Sequence, residues 1–142
     1  MYPSPHPPLD IPATPLADFV LAGAGARGQR AALTCAVTDR TITYAELPER
    51  AARTAAGLAA LGIGKGDVCA LFAANSPEYV ISVLATARLG AVATTASPLY
   101  THDDLAKQLE DSGARVLVTS PSLGPAWIPA LAGTAVEHVV LL

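Results

Sequence analysis

The sequence predicts an α/β fold. It reads as a mainly parallel sheet flanked by helices, with a β-hairpin near the amino end, forming an incomplete part of a larger amino-terminal domain. Three observations carry this expectation. The stretch Gly90-Ala91-Val92-Ala93-Thr94-Thr95-Ala96-Ser97-Pro98-Leu99-Tyr100-Thr101 reads as a small-residue central strand that leaves through a proline turn and enters a helix at once, which is half of a βαβ unit. Helix and strand signals alternate on both sides of it. The final run, Val136-Glu137-His138-Val139-Val140-Leu141-Leu142, is an apolar strand with no closing helix or polar tail, so the expected domain extends past Leu142.

Residues 1–13 carry five prolines, cannot nucleate a helix and read as an extended arm, more simply a solvated tail than a proline-rich ligand. Residues 14–142 read as the first α/β subdomain. Thr14 as N-cap, Pro15 at the first helical position and Asp18 in the first turn open a short helix to about Ala24, with Gly23 and Gly25 ending it. Ala31–Val37 has β character and turns at Thr38-Asp39-Arg40 into Thr41–Tyr44 as a hairpin. Thr43 with Glu46 then caps a helix whose Leu47, Ala51, Ala55, Leu58 and Leu61 recur at helical spacing. Pro48, read as one turn inside, is expected to distort its start.

Gly62 closes that helix, and the chain crosses to the strand Val68–Phe72. Ser76 as cap and Pro77 at the first position start the next helix, whose Val80, Ile81, Val83, Leu84 and Leu89 leave little polar face and predict the most buried helix. Thr101 with Asp104 forms a capping-box pair ahead of the helix His102–Ser112. On it Asp103, Lys107 and Asp111 stand four apart and predict modest solvated ion pairs. Gly113 stops the helix, and Arg115–Thr119 is the following strand. Pro121 to Gly133 holds three prolines, which predicts a short or broken helix around Trp127, an anchor on the sheet edge rather than a pocket wall.

Composition narrows the function classes. The formal charge is −3, the Lys and Arg residues are scattered, and aromatics make up 5%, so there is neither a basic stripe nor a stacking platform for nucleic acid. The apolar region Tyr79 to Thr95 is interrupted by Arg88 and Gly90 and falls short of the roughly 20 apolar residues of a membrane span. The amino terminus lacks a charged and then apolar leader pattern, and a cytoplasmic location is expected. Cys35 and Cys69 fall in two predicted strands without ligand-like spacing and read as buried reduced thiols.

Two glycine clusters need weighing as phosphate cradles. Gly23-Ala24-Gly25-Ala26-Arg27-Gly28 matches G-x-G-x-x-G literally, and Gly62-Ile63-Gly64-Lys65-Gly66 encloses a lysine. A cradle needs a strand entering the glycines and a helix leaving them, because the helix N-terminus holds the phosphate. Both clusters here follow a helix and precede a strand, which is the reverse. His6, His102 and His138 have no nucleophile in a recognisable elbow, and Asp103-Asp104 suits a helix first turn better than a metal.

A resemblance covers roughly residues 30 to 142. Thr43-Tyr44-Ala45-Glu46-Leu47, Gly57-Leu58, Leu61-Gly62, Lys65-Gly66-Asp67-Val68, Asn75-Ser76-Pro77-Glu78, the Thr-Thr-Ala-x-Pro-x-Tyr-Thr core, Lys107-Gln108 and Ser112-Gly113-Ala114 occur in one order. That series resembles the 4-coumarate–CoA ligase-like branch of the adenylate-forming acyl-CoA synthetase superfamily, with Ser97 standing where relatives commonly carry Asn. The resemblance implies a carboxylic acid converted through an acyl-adenylate to an acyl-CoA thioester, with ATP, Mg²⁺ and coenzyme A as cofactors of the whole enzyme. It also implies that the Ser/Thr/Gly-rich loop, the nucleotide contacts, the catalytic lysine and the acid pocket lie downstream. No catalytic, cofactor-binding or metal-binding residue is therefore assigned here. The segment is expected to act as a scaffold, partnered by the remainder of the adenylate-forming domain or by a self-copy through the exposed carboxyl-terminal strand. Two other readings are a non-catalytic α/β interaction module and a small dinucleotide-binding domain using Gly23, Gly25 and Gly28.

Overall fold

The computed structural model describes residues 5–7 and 9–142. The expected arm lies partly outside the described residues; within it, residues 9–13 form neither helix nor strand. Two short helices follow, α1 (Leu16–Leu21) and α2 (Ala24–Arg27). Pro15, not Thr14, is the cap residue of α1: its ψ of 140° is extended, and no side chain caps the helix. Its carbonyl accepts from the Phe19 N–H at 2.9 Å. Gly25 does not end a helix but lies inside α2, which Gly28 closes with φ +52°.

The hairpin is present as β1 (Ala31–Thr34) and β2 (Thr41–Thr43), antiparallel, with a bulge between Ala31 and Leu33. Strand β1 is shorter than expected, because Asp39 turns the chain with φ 53° and the Cys35 N–H already bonds across to the Arg40 carbonyl at 2.9 Å. Cys35 thus lies just past the strand, half-buried, while Cys69 is buried as expected.

Thr43 and Glu46 bond reciprocally, Thr43 N–H to Glu46 Oε2 at 2.9 Å and Glu46 N–H to Thr43 Oγ1 at 3.3 Å. The pair sits one turn earlier than a cap, because α3 begins only at Leu47 and runs to Ala60. Pro48 therefore occupies the start of the helix and distorts nothing, since an N–H there has no intrahelical partner to lose. At the far end Gly62 N–H bonds to Ala59 O and Ile63 N–H to Leu58 O at 2.9 and 3.1 Å, a Schellman closure that needs the positive φ of Gly62, 81°.

Four parallel strands make the main sheet: β3 (Val68–Phe72), β4 (Val92–Ala96), β5 (Val116–Thr119) and β6 (His138–Leu141), in the order β4-β3-β5-β6. The expected central strand β4 is thus an edge strand. Interior places go to β3 and β5, whose Cys69, Ala70, Leu71, Val116, Leu117 and Val118 are buried on both faces, whereas Val92 is exposed and β4 carries the hydroxyls of Thr94 and Thr95. Alternation along the strands splits the core in two. Cys69, Leu71, Val116 and Val118 pack with Ala55 and Leu58 of α3 and Ala85 of α4 (Pro77–Arg88). Ala70, Phe72 and Leu117 pack with Leu105 and Leu109 of α5 (His102–Ser112) and with Ala130. A third cluster of Ile42, Leu47, Ala51, Ile81 and Leu84 seats the hairpin on α3 and α4.

Helix α4 starts as expected, Ser76 Oγ accepting from Tyr79 N–H at 3.1 Å, and it buries more of its residues than any other helix here. In α5 the Thr101–Asp104 capping box is complete and Gly113 closes the helix in the left-handed conformation. The expected ion pairs of Lys107 with Asp103 and Asp111 do not form; Asp103 instead lies 3.0 Å from His102 Nε2, and Gln108 on this helix bonds Thr94 Oγ1 and Thr95 O of β4, both at 2.9 Å. Pro121–Leu131 is one continuous 3-10 helix rather than a short or broken one. Its prolines fix φ near the −65° that a 3-10 backbone also takes, so they interrupt it less than they would an α-helix.

Candidate functional site

Because the four strands are parallel, every one begins on one rim of the sheet and ends on the other. The turns on the amino rim are built on glycines: Gly62 to Gly66 precede β3, Gly90 precedes β4, Gly113 precedes β5 and Gly133 precedes β6. Those on the carboxyl rim are built on Ser-Pro pairs, Ser76-Pro77, Ser97-Pro98 and Ser120-Pro121.

An ion network closes the amino rim. Arg115, one residue before β5, places Nη1 at 2.8 Å from Asp67 Oδ1 and Nη2 at 2.8 Å from Glu137 Oε2, and it also reaches Gly62 O at 3.3 Å. Asp67 and Glu137 immediately precede β3 and β6, so one guanidinium ties three strand starts and the end of α3. The Arg115 hydrogen bond, then the Gly64 N–H, hold the Asp67 carboxyl below its ordinary range; Arg115 does the same to Glu137, and both carboxylates raise the Arg115 pKa further. Residue types alone did not single out this trio, although each charge stands directly ahead of an apolar strand.

Neither glycine cluster is entered by a strand. Around Gly23, Gly25 and Gly28 the order is α1, α2, β1, and Arg27 folds back so closely that a Cβ on Gly23 would lie 2.5 Å from its Nη1. The Arg27 guanidinium stacks 5.0 Å from the Tyr44 ring. Around Gly64 and Gly66, the Gly64 N–H donates to Asp67 Oδ2 at 2.8 Å and Gly66 N–H to Gly90 O at 3.1 Å, after which β3 begins.

Ligands of open α/β sheets bind outside the carboxyl ends of the strands, where the strand order reverses. Here that point lies between β3 and β5. The two helix starts on this rim are poorly suited to a phosphate. Asp104, its carboxyl held low by the Thr101 hydroxyl and then the Thr101 N–H, already fills the first turn of α5, and Glu78 in the first turn of α4 pairs with Arg40. No group of three His, Cys, Asp or Glu side chains that could hold a metal occurs among the described residues. His138 lies half-buried in β6, His6 precedes α1, and burial raises the Cys69 thiol pKa while the Thr38 hydroxyl lowers that of Cys35.

What the carboxyl rim does hold is a cavity of about 340 Å³ walled by Phe72 from β3, Pro98 and Tyr100 from the turn after β4, Leu105 from α5, and Leu123 and Trp127 from the 3-10 helix. Trp127 is thus both an anchor in the apolar layer and a pocket wall. Its Nε1 and the hydroxyl of Thr119, the last residue of β5, are buried with no hydrogen-bond partner among the described residues. Sequence alone could not mark either atom, because burial without a partner is a property of the packed layer.

Comparison with known proteins places this architecture. Residues 22–141 match the family described as AMP-binding enzyme. The chain is 40% identical over 122 residues to 4-coumarate–CoA ligase 5 of Oryza sativa subsp. japonica, covering 86% of this chain and 22% of that protein. It is 42% identical over 113 residues to 4-coumarate–CoA ligase 4 of Arabidopsis thaliana, covering 77% and 20%. Among solved structures, a long-chain-fatty-acid–CoA ligase from Archaeoglobus fulgidus superposes with TM-score 0.89 at 28% identity, covering 99% of this chain and 30% of that one. A benzoate CoA ligase from Burkholderia xenovorans gives 0.80 at 26% identity, covering 87% and 25%. The chain spans about a fifth of the length of the curated relatives it matches.

Proposed function

Since this chain belongs to the AMP-binding enzyme family, we propose that it is the amino-terminal part of an ATP-dependent, AMP-forming acid–CoA ligase. Such an enzyme turns a carboxylic acid into an acyl-adenylate and then an acyl-CoA, with ATP, Mg²⁺ and coenzyme A. The observation that carries this reading is the family match along residues 22–141, in a chain that spans about a fifth of its curated relatives.

Within that enzyme, residues 14–142 serve as the first α/β subdomain and a scaffold, residues 1–13 as an arm, and the enzyme works in the cytosol. Two features support the scaffold role. The glycine turns lie on the rim opposite the helix starts, and those starts are already capped, α4 by the Ser76 hydroxyl and α5 by Thr101 and Asp104. This segment therefore contributes no catalytic group and makes no contact with ATP, Mg²⁺ or coenzyme A. Its partner is the rest of the domain, which covers the β6 edge, where Leu141 is 59% exposed, and the adjoining groove between Arg53, Ile81 and Val140. Among the described residues no helix is long and apolar enough to cross a membrane.

Carboxylate-dependent ATP–pyrophosphate exchange tests the scaffold part of this reading. The purified 142-residue chain is expected to give no exchange with 4-coumarate, benzoate or a long-chain fatty acid; a clear signal overturns the inert-scaffold reading. A second copy is the rival occupant of the β6 edge, and a concentration-independent dimer mass in solution would favour it.

A further inference from the structure

The main sheet has two edges, and the chain treats them differently. On β4 the backbone groups that face away from β3 belong to Ala93 and Thr95, because the Val92 N–H bonds inward to the Asp67 carbonyl at 2.8 Å and a parallel ladder alternates. The outward Thr95 carbonyl is taken by Gln108 Nε2 at 2.9 Å, which also donates to Thr94 Oγ1. That side chain blocks the β4 edge against another strand. On β6 the Leu142 N–H bonds inward to the Thr119 carbonyl at 2.9 Å, so Val139 and Leu141 turn their N–H and C=O groups outward. No side chain among the described residues bonds to them.

Side chains repeat the contrast. A parallel sheet buries its interior strands on both faces, and such strands read as near-continuous apolar runs. Strand β6 has that composition: Val140 and Leu142 pack against the α3 and α4 layer, while Val139 and Leu141 stand exposed on the other face. Beside it lies a groove of about 450 Å³ lined by Leu58, Ile81 and Val140, and Arg53 on its wall has no ion pair or hydrogen bond among the described residues. The other charges there are engaged, Arg50 with Glu46 and Glu78 with Arg40. A second copy of this chain suits the edge poorly, since a two-fold interface sets the same patch, unpaired Arg53 included, against itself. We propose that the β6 edge takes a fifth strand from the remainder of the enzyme, a segment carrying a carboxylate that pairs with Arg53. This rests on the reading of the chain as part of a larger ligase and adds the kind of segment that meets it.

The probe is the peptide acetyl-Lys-Thr-Val-Glu-Val-Thr-Lys-amide, which as a strand sets its valines on one face and the glutamate between threonines on the other. Added to the ¹⁵N-labelled 142-residue chain, it is expected to move the Val139 and Leu141 amide signals along a saturable curve and leave those of Ala93 and Thr95 in place. Replacing the peptide's glutamate by glutamine is expected to weaken binding about threefold, the worth of an exposed ion pair. Arg53 lies on an exposed helix face, so Arg53→Gln is expected to keep the fold. That variant should bind both peptides as the parent binds the glutamine one. Flat β6 signals overturn the proposal, as do equal shifts on β4, a glutamine peptide that binds as tightly as the glutamate one, or a preference for glutamate that survives in Arg53→Gln. A dimer whose Val139 and Leu141 amides are already protected from exchange without peptide also overturns it, because a second copy then holds the edge. A flat titration leaves the family match and the pyrophosphate-exchange result untouched, so the fifth strand and the ligase reading fail separately.

Discussion

The two rims of the sheet solve the same problem differently. On the amino rim the polar groups are over-provided with partners: one guanidinium serves two carboxylates and a carbonyl, and glycine turns bring the chain around without using a side chain. On the carboxyl rim the helix starts are individually capped, yet Thr119 Oγ1 and Trp127 Nε1 are buried with no partner among the described residues. A fold can afford an unfinished rim when the opposite one holds the strands in register. The lesson is that satisfied and unsatisfied polar groups are laid on opposite ends of the same four strands.

The largest effect should come from breaking the closed rim. Arg115→Met keeps most of the aliphatic packing, leaves Asp67 and Glu137 facing each other with no cation between them, and strips Gly62 O of a donor. Its melting temperature is expected to fall by several degrees. The loss should carry an acid signature. Both carboxyls titrate below their ordinary values of 3.8 and 4.5 in the folded chain, so their contribution is complete above those values and disappears as pH falls through the lowered native ones. Melting curves of the parent and Arg115→Met should therefore be well separated at pH 7 and converge as the pH drops below about 4. Curves that stay parallel across that range would show that the network adds nothing to the register.

An intermediate effect is expected on the open rim. Thr101→Ala removes the hydroxyl that accepts from Asp104 N–H at 3.2 Å and donates to the Asp104 carboxylate. Cap losses of this kind cost about 1 kcal/mol. Denaturant titration should find that loss, and hydrogen exchange should place the faster amides in the first turn of α5 rather than in β5.

These expectations also mark what the sequence could reveal. Helix α5 was legible to the residue, because its signals are local: a Thr-x-x-Asp box, two leucines four apart and a terminal glycine. The reversed order around both glycine clusters was legible for the same reason. Strand order was not, since the small residues of β4 fit an edge or a centre equally well until β3 and β5 compete for the interior with larger apolar side chains on both faces. The Arg115 network was half visible, as charges of alternating sign at the starts of three strands that become neighbours only through parallel pairing. Pro48 and the 3-10 helix were misjudged through a shared assumption, that a proline inside a helical pattern always costs a bond.

The smallest effect gives the sharpest contrast between satisfied and unsatisfied polar groups, because two threonines are equally buried and only one has a hydrogen-bond partner among the described residues. Thr86 is fully buried in α4 and donates to the Ser82 carbonyl at 2.8 Å; Thr119 is fully buried at the end of β5 and its hydroxyl has no partner among the described residues. Replacing either by valine keeps the branched shape and removes the hydroxyl. Thr86→Val should cost about 1 kcal/mol, the net worth of an ordinary hydrogen bond. For Thr119→Val, the desolvation penalty of a lone hydroxyl is relieved with no bond lost, and the change should be neutral or stabilising by about 0.5 kcal/mol. Paired denaturant titrations read the difference directly. If Thr119→Val instead costs as much as Thr86→Val, its hydroxyl is satisfied in solution and the carboxyl rim is as finished as the amino one.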